Sequence, residues 1–168
     1  ILTSHGDYQN GVLSRPCQSG ASGEVVFYGI AGHAGSNRRQ NALDAAELAV
    51  QSLERLRAHN FPNTIVEHVL RVAGVHPSIT PDETRLWLSV RHENYEQVCS
   101  VYDFAVDVCE RAAEMTGTTF RHQFISATHG YLPNDALADL LFECQQEVGP
   151  PKWSTEGLAW MRDLASTC

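Results

Sequence analysis

Residues Val25 to Ala46 constrain this chain more than any other stretch. Val-Val-Phe-Tyr-Gly-Ile-Ala-Gly-His33-Ala-Gly-Ser leads into Asn-Arg-Arg-Gln-Asn41-Ala-Leu-Asp44-Ala-Ala. Val25 to Ile30 is apolar and aromatic, which suits a strand. Gly29, Gly32 and Gly35 follow, and a sharp reversal there is expected to use their freedom in φ. Asn41 is placed to cap a helix, with Asp44 in its first turn facing the positive helix end. The chain must therefore turn from strand to helix around a corner that holds one histidine. His33 lies between two small residues, so little crowds its ring.

The remainder can be read as further elements of the same body. Residues 1 to 23 carry little periodicity, and Gly11, Ser14, Pro16, Ser19, Gly20, Ser22 and Gly23 mark a connecting segment. A strand is predicted over Glu24 to Ile30. A helix over Asn41 to His59 carries Leu43, Ala46, Val50 and Leu53 on one stripe, with Ala49 and Leu56 beside it. Thr64 to Val72 reads as a second strand, with Val66, Leu70 and Val72 on one face. Gly74, Pro77 and Pro81 make residues 73 to 82 a long loop. Thr84 to Arg91 alternates most cleanly: Leu86, Leu88 and Val90 against Arg85, Trp87, Ser89 and Arg91.

Asn94 can cap the next helix, which runs to Met115 and is closed by Gly117. Its apolar seam is Tyr95, Val98, Tyr102, Ala105, Cys109 and Ala112. Thr118 to Ile125 is a fourth strand with Phe120 and Phe124 facing one way. Asn134 caps a third helix whose core positions are Leu137, Leu140, Leu141 and Cys144. Thr155 to Ser166 forms a short fourth. The fold class is α+β: a four-stranded antiparallel sheet with two helices on one face, in the ferredoxin-like βαββαβ order, plus C-terminal helices. The expected division is a connecting segment at 1–23, a sheet domain at 24–128, and the start of a second body at 129–168.

Bulk properties narrow the partners. The formal net charge is -8 over 168 residues, which argues against a phosphate-backbone partner. No stretch approaches the roughly 20 apolar residues of a membrane span. Cys17, Cys99, Cys109, Cys144 and Cys168 are odd in number and show no CxxC spacing. They are expected to be free thiols in a reducing, cytoplasmic compartment. The first residue is not methionine, so the chain is expected to be a processed product or an excised fragment.

Site chemistry is sparse on residues alone. There is no HExxH, GxSxG or Walker sequence. His33, His68, His76, His92, His122 and His129 scatter over strands and loops without ligand spacing. Asp135 and Asp139, four apart, read as a solvated helix face. At this level His33 is either a turn histidine bonded to local backbone or a functional group.

The corner Phe27-Tyr-Gly-Ile-Ala-Gly-His33-Ala-Gly, with Asn41 to Ala46, resembles the lid or dimerisation domain of the zinc-dependent aminoacylase and glutamate-carboxypeptidase metallopeptidase family. Its nearest branch resembles the aminobenzoyl-glutamate hydrolase amidohydrolases. Ile79-Thr-Pro81-Asp82 with Val90-Arg91, Met115 to Thr119, Tyr131 to Asn134, and Glu147 to Trp153 extend the likeness over nearly the whole chain.

The resemblance implies an amide hydrolase acting on N-acyl or peptide-like substrates that carry a carboxylate. It implies two zinc ions held mostly by residues outside this chain, and a homodimer formed through the lid. His33 matches a histidine that reaches the partner's active site and donates to the tetrahedral oxyanion. Arg91 matches an arginine that holds a substrate carboxylate. Ser78 stands in the substrate-binding loop where many relatives carry Asn. His5 resembles a zinc-ligand histidine just ahead of the lid. The chain alone is expected to be inactive. Two other readings stay open: a free-standing small-ligand regulatory module, and a pure interaction domain in which His33 plays no chemical part.

Overall fold

The computed structural model describes residues 11–12, 17–35 and 40–167. The chain divides into two compact units, one spanning residues 16–132 and the other containing the helices after 133. In the first unit β1 (Ser19–Tyr28) leads through β2 (Gly32–His33) to α1 (Ala42–Asn60). Then come β3 (Ile65–Val72), β4 (Ile79–Thr80), β5 (Glu83–His92), α2 (Tyr95–Thr116) and β6 (Thr119–Thr128). The four long strands lie in the order β3-β5-β1-β6, and every neighbour is antiparallel. This is the βαββαβ arrangement expected from the pattern.

Both helices pack on one face. Val25, Phe27, Leu86 and Leu88 of the central strands meet Ala42, Ala45, Ala46, Ala49 and Leu53 of α1, and Ala105, Val108, Cys109, Ala112 and Ala113 of α2. A second cluster joins Ala21, Val90, Val98, Val101 and Tyr102. The buried stripe of α1 is rotated from the expected one. Its alanines face the sheet, while Leu56 is exposed and Leu43 only half-buried. Alanine brings the helix backbone close to the strands, so the larger apolar side chains are left at the flanks.

All three predicted N-caps hold. The Asn41 side chain accepts from Leu43 N–H at 3.0 Å, the Asn94 side chain from Glu96 and Gln97 N–H, and the Asn134 side chain from Leu137 N–H at 3.0 Å. Gly117 closes α2 with φ 68°, where a side chain would be strained.

Four expectations need correcting. First, β1 begins at Ser19, not Glu24. The small residues read as connector pair instead with Arg91, His92 and Thr128. Second, Val72 does not share a face with Val66 and Leu70. The register shifts between Leu70 and Val72, which turns Val72 outward opposite Arg85. Third, Gly29, Gly32 and Gly35 do not have positive φ; among described glycines that conformation belongs to Gly74, Gly117 and Gly149. Gly29 is needed for space, because a Cβ there would strike the backbone of Gln40 and lie 2.8 Å from Ala42 N. Fourth, α3 (Asp135–Val148) and α4 (Thr155–Ala165) carry no buried residues, and Leu140 and Cys144 are exposed. Their amphipathic periodicity is present without the packing that was inferred from it.

Candidate functional site

β2 and β4 form a two-residue ribbon in which Gly32 faces Thr80 and His33 faces Ile79. Around it the backbone is tied at every step. Gly29 N–H donates to Asp82 O at 2.8 Å, Ile30 N–H to Gln40 O at 2.8 Å, and Ala34 N–H to Ser78 O at 2.9 Å. The loop from 73 to 82, read as irregular, is therefore held between the end of β1 and the start of α1.

His33 is exposed on this ribbon. Its Nδ1 accepts the N–H of Gly35 at 3.1 Å. A neutral ring so bonded carries its proton on Nε2, so this bond favours the Nε2–H tautomer. Ser78 is also here, giving its carbonyl to Ala34 and its N–H to Nδ1 of His76 at 3.1 Å. The structure thus brings His33 and Ser78 together.

Arg91 is elsewhere. On β1 and β5, Tyr28 pairs with Glu83 at the His33 end, and Gly20 pairs with Arg91 at the other. Eight strand steps separate the two ends, about 26 Å at ~3.3 Å per residue. Arg91 is exposed, and its Nε lies 3.7 Å from a carboxylate oxygen of Glu67 on β3. It borders a groove of about 740 Å³ on the helix-free face, with Trp87, Ser89, Glu67 and Cys17 among the walls. This is also the end where the chain enters and leaves the sheet. Gly20 pairs with Thr128, and Gly130 N–H donates to Ser19 Oγ at 2.8 Å. His5 lies outside the described residues.

Two polar clusters escaped the sequence reading. On the helix-free face, Glu24 is 8% exposed and accepts from Arg71 at 3.1 Å and Arg85 at 3.2 Å. The hydrogen bond and charge of Glu83, followed by those of Glu24, hold the Arg85 guanidinium above its ordinary pKa. Arg71 also lies over the Trp87 ring, 5.3 Å from its centre. The only sequence signal was an acid at an outward strand position beside two outward arginines. On the other face, Tyr102 Oη meets His122 Nε2 at 2.7 Å. Burial, then the charge of Asp103, pushes the Tyr102 pKa up to about 12; burial pulls that of His122 down, against the pull of Asp103. The Tyr102 hydroxyl fills the space that a side chain on Gly23 would need.

Cys17, Cys99, Cys109 and Cys144 are unpaired. Burial raises the Cys109 thiol to about 12, so it is a packing residue and not a nucleophile. Among the described residues no three His, Cys, Asp or Glu side chains converge as a metal site. No helix among the described residues is long and apolar enough to cross a membrane.

Comparison with known proteins agrees with the fold. The chain is 27% identical over 99% of its length to one of the p-aminobenzoyl-glutamate hydrolase subunits of Escherichia coli (strain K12), covering 35% of that protein. It is 32% identical over 74% of its length to the Xaa-Arg dipeptidase of Mus musculus, covering 30% of it. It thus spans about a third of these relatives. The crystal structure of an aminobenzoyl-glutamate utilization protein from Klebsiella pneumoniae superposes with a TM-score of 0.61 at 25% identity, over 79% of this chain and 34% of that one. The model of the M20 peptidase dimerisation domain matches residues 18–115, so β1 through α2, with the His33 ribbon and Arg91, make this chain a member of that family.

Proposed function

We propose that residues 16–132 form the lid through which a metal-dependent amidohydrolase dimerises, and that His33 serves the active site of the partner subunit. The substrates are N-acyl or aminobenzoyl amino acids, the class suggested by the hydrolase among the relatives. His33 supplies an Nε2–H donor to the oxyanion that develops as the amide carbonyl becomes tetrahedral. Its bond to Gly35 favours that tautomer before substrate arrives.

One observation carries this reading. His33 is exposed at the end of the sheet remote from where the chain enters and leaves. A group at that end of β1 lies far from the point where the chain joins the sheet, which supports a role towards a second copy. Arg91 lies at the entry end, and there it is suited to a substrate carboxylate in its own subunit's site. Ser78, beside His33, offers a short hydroxyl to the same partner site. The sheet edges β3 and β6 each leave a ladder for a second copy to extend. Unpaired cysteines fit a reducing, cytoplasmic setting. The two zinc ions belong to residues beyond those described here, and the 168-residue chain alone is inactive.

The test is His33→Ala in the full-length protein. We expect kcat to fall by roughly 10²-fold or more, with the dimer intact by sedimentation. Unchanged turnover would refute the oxyanion role.

A further inference from the structure

Where the chain joins the sheet, its incoming and outgoing strands are fastened by more than the ladder. The His129 ring, just past β6, lies on the Tyr95 ring at the start of α2. Their centroids are 3.8 Å apart and their planes are inclined by 31°. The next residue, Gly130, donates its N–H to Ser19 Oγ at 2.8 Å. Gly130 also runs so close to the incoming chain that a Cβ on it would strike the carbonyl oxygen of Cys17. Ser19 in turn pairs with His92. His92 Nδ1 accepts Asn94 N–H at 3.0 Å, and Asn94 caps the helix that Tyr95 opens. The outgoing chain is thus held to β1 through Gly130 and to the β5–α2 turn through His129.

Little of this serves the core. His129 and Cys17 are exposed, and Tyr95 and Gly130 are half-buried. None of the four belongs to either hydrophobic cluster. An exposed imidazole held against another ring gives up side-chain freedom without closing the interior. The boundary of the unit lies just beyond, before Pro16 on the incoming side and after Leu132 on the outgoing side. The fastening therefore stands where the direction of the departing chain is decided.

Arg91 is beside the same point. It precedes His92 and pairs with Gly20, which follows Ser19. The long contact to Glu67 does little to hold its exposed side chain, so its place depends on the backbone beneath it.

We propose that His129 is a positioning residue for Arg91. Stacked on Tyr95, it fixes the β5–α2 turn against the outgoing chain, and so sets where Arg91 stands relative to the sequence that follows the lid. This inference rests on the reading that Arg91 holds a substrate carboxylate in its own subunit's site. His129 itself touches no substrate; its effect passes through Arg91 and falls on binding.

The experiment is a double-mutant cycle in the full-length dimer with an N-acyl glutamate as substrate. Arg91→Ala should raise KM about 10-fold. His129→Ala should raise KM about 5-fold while kcat changes less than about 2-fold, since a displaced clamp weakens binding. In the Arg91→Ala background, His129→Ala should add less than about 2-fold, because the group it positions is gone. His129→Phe, which keeps a ring on Tyr95, should bring KM back to within about 2-fold of wild type. An unchanged KM in His129→Ala would overturn the inference. So would a rise that multiplies in full with that of Arg91→Ala, or one that phenylalanine does not reverse. If Arg91→Ala leaves KM unchanged, the carboxylate reading fails and the inference falls with it. If Arg91→Ala raises KM and His129→Ala does not, only the role of His129 is removed.

Discussion

The two ends of the sheet are built differently. At the His33 end a two-residue ribbon is held by backbone hydrogen bonds that tie the end of β1, the loop before β5 and the start of α1 together. At the other end Arg91 stands on an open strand face with a single long contact to Glu67. One end carries an imidazole whose Nδ1 accepts a backbone amide; the other carries a permanently charged fork on an exposed strand face. The proposed oxyanion role of His33 needs close orientation, whereas the carboxylate role proposed for Arg91 needs chiefly charge.

The sharpest way to break this contrast is to mix subunits. If His33 serves the partner and Arg91 its own subunit, a dimer of one His33→Ala chain and one Arg91→Ala chain keeps one intact site. Mixing the two impaired full-length variants should then restore activity from a few per cent to roughly a quarter or more of wild type. If one lid supplied both groups to a single site, no mixed dimer could have an intact site, and no recovery would appear.

A smaller but still large effect tests the ribbon's foundation. Gly29→Val should destabilise the fold by about 3 kcal/mol, because the new side chain meets the backbone of Gln40 and Ala42, which cannot rotate away. A urea midpoint within error of wild type would show that the corner is softer than described. On the open face, Glu24→Ala leaves Arg71 and Arg85 without their shared carboxylate. Both arginines are half-exposed and can turn to water, so the expected loss is about 2 kcal/mol and not the full cost of a buried pair.

The smallest effect is one of pH. Burial lowers the pKa of His122 from its ordinary 6.5, so the unfolded chain takes up a proton at a higher pH than the folded one. Its contribution is therefore fully favourable above that value and is lost as pH falls below it. Urea midpoints at about pH 7.5 and pH 5.5 should differ more in wild type than in His122→Asn. Equal differences would place the sensitivity in another group.

Much of this was legible in the sequence. Alternation at Leu86, Leu88 and Val90 located the central strand, and Asn41, Asn94 and Gly117 located helix ends, because each is decided within a few residues. What stayed hidden depends on partners distant in the chain. Ser19 to Gly23 look like linker until Arg91 and Thr128 are set beside them. The alanine stripe of α1 is a matter of how closely a helix meets a sheet, which periodicity does not weigh. Glu24 needed Arg71 and Arg85, forty-seven and sixty-one positions away. His33 was singled out by its glycine setting and its family likeness. The bond that Nδ1 accepts from the amide two residues on, at His33, His76 and His92, carries no mark in the residue types around it.

The joining of Ser19 to Gly130 has a broader consequence. A body whose incoming and outgoing strands meet at one point can be spliced into a surface turn of another protein without prising that host apart. Its long, sequence-distant strand pairings are all internal, so the graft would carry its own instructions for assembly.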